Sequence, residues 1–221
     1  RDIRTDTGML ISARSEIFGL DFGAFDVDSP AFAATQAWIM MDLQNEDFSI
    51  SRFDANADSP NLTRGDLRTW PITSGWAAQI EWLRGRTDRG WRYLIDGVIG
   101  RKGYNAETAL YCLPETMLLD SRLSETRLLS WSHGEFMIST ILLLTGFCPD
   151  VKNADFTLCP SLPPQTDSAT VTGFHFKGWL IDMDIKRGKD KVTTNLTAKR
   201  KSADAPQTLR LSVEGNRIIN L

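Results

Sequence analysis

Apolar residues recur at intervals of three and four between Ser29 and Gly146, and this spacing predicts a series of helices. The first begins after Ser29 with a proline in its first turn and continues through AFAATQAWIMMDLQ. Three more are predicted in PITSGWAAQIEWLRG, TDRGWRYLIDGVIG and SWSHGEFMISTILLLTG. Gly85 and Gly146 would end the second and the fourth, and Thr87 or Asp88 would cap the third. The broad, Trp-rich stripes favour helices that pack against several neighbours.

The pattern changes beyond Gly146. Up to about residue 167, proline-containing stretches such as CPSLPPQTD predict loops, because proline cannot continue a helix. Apolar and polar residues then alternate in short runs separated by RGKD, SADAPQ and EGN, which predicts about four strands. We therefore predict a mainly α fold, with a helical region over residues 1–150 and a small antiparallel β unit over residues 151–221.

Composition narrows the classes of function. The chain has 221 residues, a formal net charge of −3 and 42% hydrophobic residues, so it lacks the basic excess of nucleic-acid-binding proteins. No apolar run reaches the roughly 20 residues that span a bilayer, which favours a soluble protein with no membrane partner. The low cysteine count and the lack of a signal-peptide pattern favour a cytoplasmic location.

Motifs for metals and nucleotides are weak. The three cysteines have no zinc-binding spacing. The stretch DANADS begins like a calcium loop, but Ser59 and Gly65 stand where such a loop has its glycine and its bidentate glutamate. The sequence contains no glycine-rich phosphate loop and no nucleophile elbow. We therefore predict neither a metal ion nor another cofactor.

Carboxylates close to tryptophans are the remaining chemical feature. Glu115 directly follows a proline in YCLPETMLLD, and the string WSHGE follows at Trp131. Sugar rings stack on indole, and hydrolysis of an acetal needs one carboxylic acid and one carboxylate. This combination favours carbohydrate chemistry. The alternatives are that the seven tryptophans belong to the core and that Glu115 caps a helix N-terminus or places its negative charge there.

Five segments, taken in order, resemble one enzyme family. They are GAFDVDSPAFAATQAWIMMDL, SRFD, RTWPITSGWAAQIEWLRG, YCLPETMLLD and RLLSWSHGEF. Their order resembles the later helices of glycoside hydrolase family 15, the glucoamylase and glucodextranase group. The resemblance implies the C-terminal part of an (α/α)6 barrel and inverting hydrolysis of α-glucosidic bonds in an oligosaccharide or polysaccharide. Two positions depart from the family pattern, because Thr116 replaces a glutamine and Gly134 an alanine.

The resemblance also implies the roles of individual residues. Glu115 corresponds to the general base that activates water. The residues implied to contact the sugar are Arg52, Asp54, Trp70, Trp131 and His133. The alternatives are a surface ion pair for Arg52 and Asp54, and a hydrogen bond to a backbone carbonyl for His133.

The general acid of family 15 lies in an earlier helical pair, and no residue before Ser29 resembles it. We therefore expect the N-terminal remainder of the same enzyme to be a partner, and the chain alone to be a poor catalyst. The tail FTLCPSLPPQTDSATVTGFHFKGWLIDMDIKRG resembles the β segment after the barrel in glycoside phosphorylases and in several (α/α)6 hydrolases. A glycoside phosphorylase and a non-catalytic carbohydrate-binding domain are thus the alternative functions.

Overall fold

A computed structural model gives the fold of the protein. The residues it describes are 3–4, 10–11, 26–51, 68–100, 113–118, 124–125, 129–150, 155–189, 191–206, 210–213 and 217–220. The chain divides into two compact units, Arg1–Thr140 and Ile141–Leu221.

Helices and short strands alternate in the described part of the first unit. The helices are α1 (Pro30–Leu43), α2 (Pro71–Leu83), α3 (Thr87–Leu94) and α4 (Ser130–Thr145), the last turn of which belongs to the second unit. The strands are β1 (Ile3–Arg4), β2 (Leu10–Ile11), β3 (Arg68–Thr69), β4 (Thr116–Leu118) and β5 (Ser124–Glu125). A π-helical turn, Ile95–Gly100, directly continues α3. No described helix is long and apolar enough to cross a membrane.

The four predicted helices are confirmed, and most of their ends follow the expected signals. The Ser29 hydroxyl accepts a hydrogen bond from the backbone N–H of Phe32 at 3.1 Å and so caps α1. Gly85, after α2, has a φ of 70°, which glycine adopts without strain. The predicted cap of α3 is wrong, because Arg86 occupies the cap position and Thr87 is already helical.

The predicted fold class is wrong: the protein is not mainly α and is not part of an (α/α)6 barrel. The described part of the chain contains twelve strands beside four α-helices. The segment that follows the Leu-Pro-Glu motif is strand β4, which pairs antiparallel with both β3 and β5. The described residues of this segment are therefore strands and not helices. Helical periodicity is a local property, and it carries no information about the elements between the helices.

The core of the first unit is formed by large side chains from successive helices. Ile39 of α1, Ile80 of α2 and Trp91 of α3 are at most 1% exposed. Full burial of such a side chain contributes about 1.5–3 kcal/mol. The π turn adds a close backbone contact, because a Cβ on Gly97 would overlap the carbonyl group of Phe48.

The second unit contains two sheets in its described part. The strands are β6 (Cys148–Asp150), β7 (Asp155–Leu158), β8 (Ser168–Phe176), β9 (Trp179–Arg187), β10 (Val192–Arg200), β11 (Arg210–Val213) and β12 (Arg217–Asn220). One sheet has the order β12–β10–β9–β8 and the other β11–β7–β6. The pairs β8–β9, β9–β10 and β6–β7 are antiparallel, whereas β12 lies parallel to β10 and β11 parallel to β7.

From residue 168 onward the described chain forms β8 to β12, one strand more than the sequence predicted. The additional turn is Lys177–Gly178, where both residues have positive φ, 48° and 78°. Such a pair matches the two-residue hairpins that suit the twist of antiparallel strands. The dipeptide lacks the Asn-Gly or Asp-Gly signature of these turns, so the pattern alone did not reveal it.

A cluster of aromatic rings packs into the core of the second unit. Phe147 lies 4.6 Å from Phe174 and 5.2 Å from Phe176, measured between ring centroids. Alternate residues of β9, Ile181 and Met183, are 1% exposed and join this cluster. The period-two pattern therefore correctly indicated which face of β9 is buried.

Candidate functional site

The Leu-Pro-Glu segment is tied to the start of α4. The backbone N–H of Leu113 donates a hydrogen bond to Nε2 of His133 at 2.6 Å. The carbonyl of Leu113 accepts a second bond from the N–H of Leu129 at 3.2 Å. Leu113 is itself only 1% exposed. These contacts fix the backbone two residues before Glu115.

Strand pairing brings Trp70 to the same region. Thr69 pairs with Met117, so Trp70 and Thr116 are the next positions along β3 and β4. The carbonyl of Trp70 accepts hydrogen bonds from the first turn of α2, at 3.1 Å from Thr73 N. Trp70 therefore precedes the helix, as predicted. Its side chain is 8% exposed, so it forms part of the core beside the site.

Glu115 lies in a bend between Pro114 and β4 and is half-buried. A strand follows it, so the alternative that it charges a helix N-terminus is wrong. No hydrogen bond or ion pair joins its carboxylate to another described residue. A half-buried carboxylate on a fixed backbone is suited to bind a ligand or to accept a proton.

Trp131 and His133 lie in the first turn of α4 but have different environments. Trp131 is 49% exposed, whereas His133 is half-buried against Leu113. Residues two positions apart on a helix are separated by about 200° around its axis, so the two side chains do not share a face. His133 Nε2 accepts a bond from an N–H, so it carries no proton in this arrangement. This bond is to a backbone N–H, so it is not the predicted bond to a carbonyl, which stays a prediction for the second ring nitrogen.

The other predicted substrate contacts are Arg52 and Asp54. Both lie outside the described residues, as does the DANADS stretch, so their roles stay predictions. Within the described part of the chain, no group of three or more His, Cys, Asp or Glu side chains is arranged to hold a metal ion.

Glu135 takes part in a polar contact that the sequence did not predict. Its Oε1 accepts hydrogen bonds from Gln79 Nε2 and from the hydroxyl of Ser139, the latter at 2.9 Å. Burial raises the pKa of the Glu135 carboxyl, against the opposing effect of hydrogen bonds from Ser139, Gln79 and Trp76. The available signal was the pair of polar residues four apart on α4, 135 and 139, which lie on one face of the helix.

A cavity of about 420 Å³ is a second feature missed at the sequence level. Buried Glu81 accepts a hydrogen bond from Gln36 Nε2 at 2.8 Å and pairs with Arg86. The Nε of Arg89 lies 3.6 Å from Glu81 Oε1. The cavity is lined by Ala33, Gln36, Ala37, Met40, Met41, Gln44, Glu81, Arg84, Arg86 and Arg89. The available signal was the clustering of arginines in EWLRGRTDRG, where α2 ends and α3 begins.

Comparison with known proteins adds no relative. No protein-family model matches the chain, and no curated protein matches it. The relation to glycoside hydrolase family 15 therefore stays a prediction that rests on the motifs.

Proposed function

We propose that the chain is a carbohydrate-active glycoside hydrolase region that cleaves α-glucosidic bonds with inversion, with Glu115 as the general base. The observation that carries the proposal is the hydrogen bond between Leu113 and His133. Together with the pairing of β3 and β4, it joins the Trp-Pro, Leu-Pro-Glu and Trp-Ser-His segments, which are far apart in sequence. The proposal concerns this local site and does not depend on a barrel.

In the proposed reaction, Glu115 accepts a proton from water while the water oxygen attacks the anomeric carbon. The glycosidic C–O bond breaks on the opposite face of the sugar, and a general acid protonates the leaving oxygen. An inverting site separates the two carboxyl groups by about 6.5–9.5 Å to accommodate that water. The family resemblance places the acid in an earlier segment of the enzyme.

The neighbouring residues have distinct roles in this proposal. His133 is a positioning residue, because it holds the backbone of Leu113 and thereby the bend that carries Glu115. Trp131, half-exposed at the start of α4, provides an indole surface on which a sugar ring can stack. Trp70 is buried in the core at the start of α2.

The arginines that line the cavity lie too far from Glu115 to serve a phosphorylase site there, although Arg68 lies closer and donates to Thr116 at 3.4 Å. A phosphorylase needs hydrogen-bond donors that hold a phosphate beside the scissile bond. Arg84 lies at the C-terminal end of α2 and Trp70 at its N-terminal end. Fourteen residues at 1.5 Å each separate the two backbones by about 20 Å. A phosphate held by the arginine cavity is therefore too distant to replace the water at Glu115.

The test measures binding and turnover with α-linked gluco-oligosaccharides. Tryptophan fluorescence follows binding to the chain, and NMR identifies the anomer released by the chain and by an enzyme that contains it. Glu115→Gln keeps the shape of the side chain but removes the base. We expect it to reduce turnover by about 10²–10⁴-fold, the usual contribution of a general base, with little change in binding.

Glu46→Gln is the matched control, because Glu46 is exposed and its substitution removes the same charge. It should leave turnover unchanged. Binding without turnover would replace the hydrolase by the non-catalytic carbohydrate-binding domain. Turnover that requires phosphate would replace it by the phosphorylase, and full activity of Glu115→Gln would refute the assignment of the base.

A further inference from the structure

The cavity between α1, α2 and α3 has an unbalanced charge. Arg84, Arg86 and Arg89 line it, and Glu81 is the single carboxylate in the lining. Glu81 is 1% exposed at its side chain and is bound by Arg86 and by Gln36. Arg89 also lies within 3.6 Å of this carboxylate, so three arginines share one negative charge and the lining keeps an excess of positive charge.

Among the described residues, Arg84 uses little of its hydrogen-bonding capacity. A guanidinium has five N–H donors, and that of Arg84 donates to Gln36 Oε1 at 3.3 Å. Its other contact is with the ring of Phe32, whose centroid lies 5.7 Å from Cζ. None of the described carboxylates forms an ion pair with it. Arg84 therefore presents a positioned cation with free donors to the cavity.

The other residues that line the cavity are neutral. Gln44 Oε1 accepts hydrogen bonds from Tyr93 at 2.6 Å and from Arg89 at 3.1 Å. Burial raises the pKa of Tyr93 to about 12, so its hydroxyl stays neutral at physiological pH. Ala37 and Met41 add apolar surface. The volume falls within the range of small-molecule sites, about 300–1,000 Å³.

We infer that this cavity binds a phosphate group, with Arg84 as the main contact and Arg89 as the second. A phosphate carries a charge of about −1.5 to −2 at neutral pH, which balances the excess of three arginines over one carboxylate in the lining. Guanidinium donors match the geometry of phosphate oxygens. The ligand is either free phosphate or the monoester of a small molecule whose organic part contacts Met41 and its neighbours. The inference is independent of the proposed glycosidase activity.

Calorimetric titration of the full chain in a chloride buffer tests the inference. The ligands are inorganic phosphate, glycerol phosphate and, as the neutral comparison, glycerol. We expect saturable binding of at least one phosphate, none of glycerol, and weaker binding as salt is raised. Equal affinities for the two phosphates identify the free anion as the ligand. Tighter binding of glycerol phosphate identifies a monoester.

Substitutions locate the bound anion. Arg84→Gln should weaken phosphate binding at least tenfold, and Arg84→Lys, which keeps the charge, should weaken it less. Lys199→Gln removes one exposed positive charge from β10 and should have no effect. Met41→Glu puts a negative charge at a position that is 79% exposed, so it should weaken binding without disturbing the fold.

Two results would overturn the inference that the cavity binds a phosphate group. It fails if neither phosphate binds saturably. It also fails if a phosphate binds but neither Arg84→Gln nor Met41→Glu changes its affinity, because the anion then lies elsewhere.

Discussion

The contact between α2 and α4 should make two glycine-to-alanine substitutions act in opposite directions. A Cβ on Gly75 would lie 2.6 Å from Cγ of Glu135 and 3.2 Å from the hydroxyl of Ser139. A Cβ on Gly134 would have no neighbour within 4 Å. Both glycines are inside helices, so the gain from a better helix-forming residue is the same for the two substitutions. Only the steric contribution to the free energy of unfolding differs.

The expected magnitudes follow from these distances. Replacing a helical glycine by alanine stabilises a helix by up to about 1 kcal/mol. Overpacking costs about 1–3 kcal/mol, and displacement of the Glu135 carboxylate weakens hydrogen bonds that contribute about 1 kcal/mol each. We expect Gly75→Ala to lower the free energy of unfolding by about 1–2 kcal/mol, and Gly134→Ala to raise it by about 0.5–1 kcal/mol.

Urea unfolding followed by tryptophan fluorescence measures both effects, because six of the seven tryptophans lie in the first unit. A second background, Glu135→Ala, removes the Cγ that Gly75→Ala would meet. In that background Gly75→Ala should become stabilising, which gives a coupling energy of about 2 kcal/mol in the double-mutant cycle. The reasoning is refuted if Gly75→Ala stabilises the wild-type protein as much as Gly134→Ala does.

Two further predictions concern ionisation and backbone conformation. Because burial raises the pKa of Glu135, the folded state binds more protons than the unfolded state above the ordinary carboxyl pKa, so stability from this group falls as pH rises. Glu135→Gln should therefore gain stability relative to the wild type as the pH rises above the ordinary carboxyl pKa of about 4.3 in urea titrations, and a constant difference would contradict this. Gly146→Ala should destabilise by at least about 2 kcal/mol more than Gly173→Ala in thermal unfolding, because both glycines have positive φ but a Cβ on Gly146 would overlap the backbone of Cys159. Equal losses would show that this close contact is absent.

The sequence by itself determined most of the local structure. The stripes of apolar residues, the serine before α1 and the glycine after α2 were sufficient to locate the helices, because caps and periodicity act within a few residues. The alternation in β9 likewise indicated its buried face. These signals are local, and they extend neither to the pairing of β3 with β4 nor to the parallel placement of β12 beside β10.

Only the tertiary structure decided what the candidate side chains contact. The sequence singled out Glu115, Trp70 and His133, but not the bond from Leu113 that makes His133 a support for the bend. It gave no indication that the arginines around Arg84 and the buried Glu81 would line one cavity. Hydrogen-bond partners and the balance of charge in a cavity depend on residues far apart in the chain, and a periodic pattern along one segment carries no information about them.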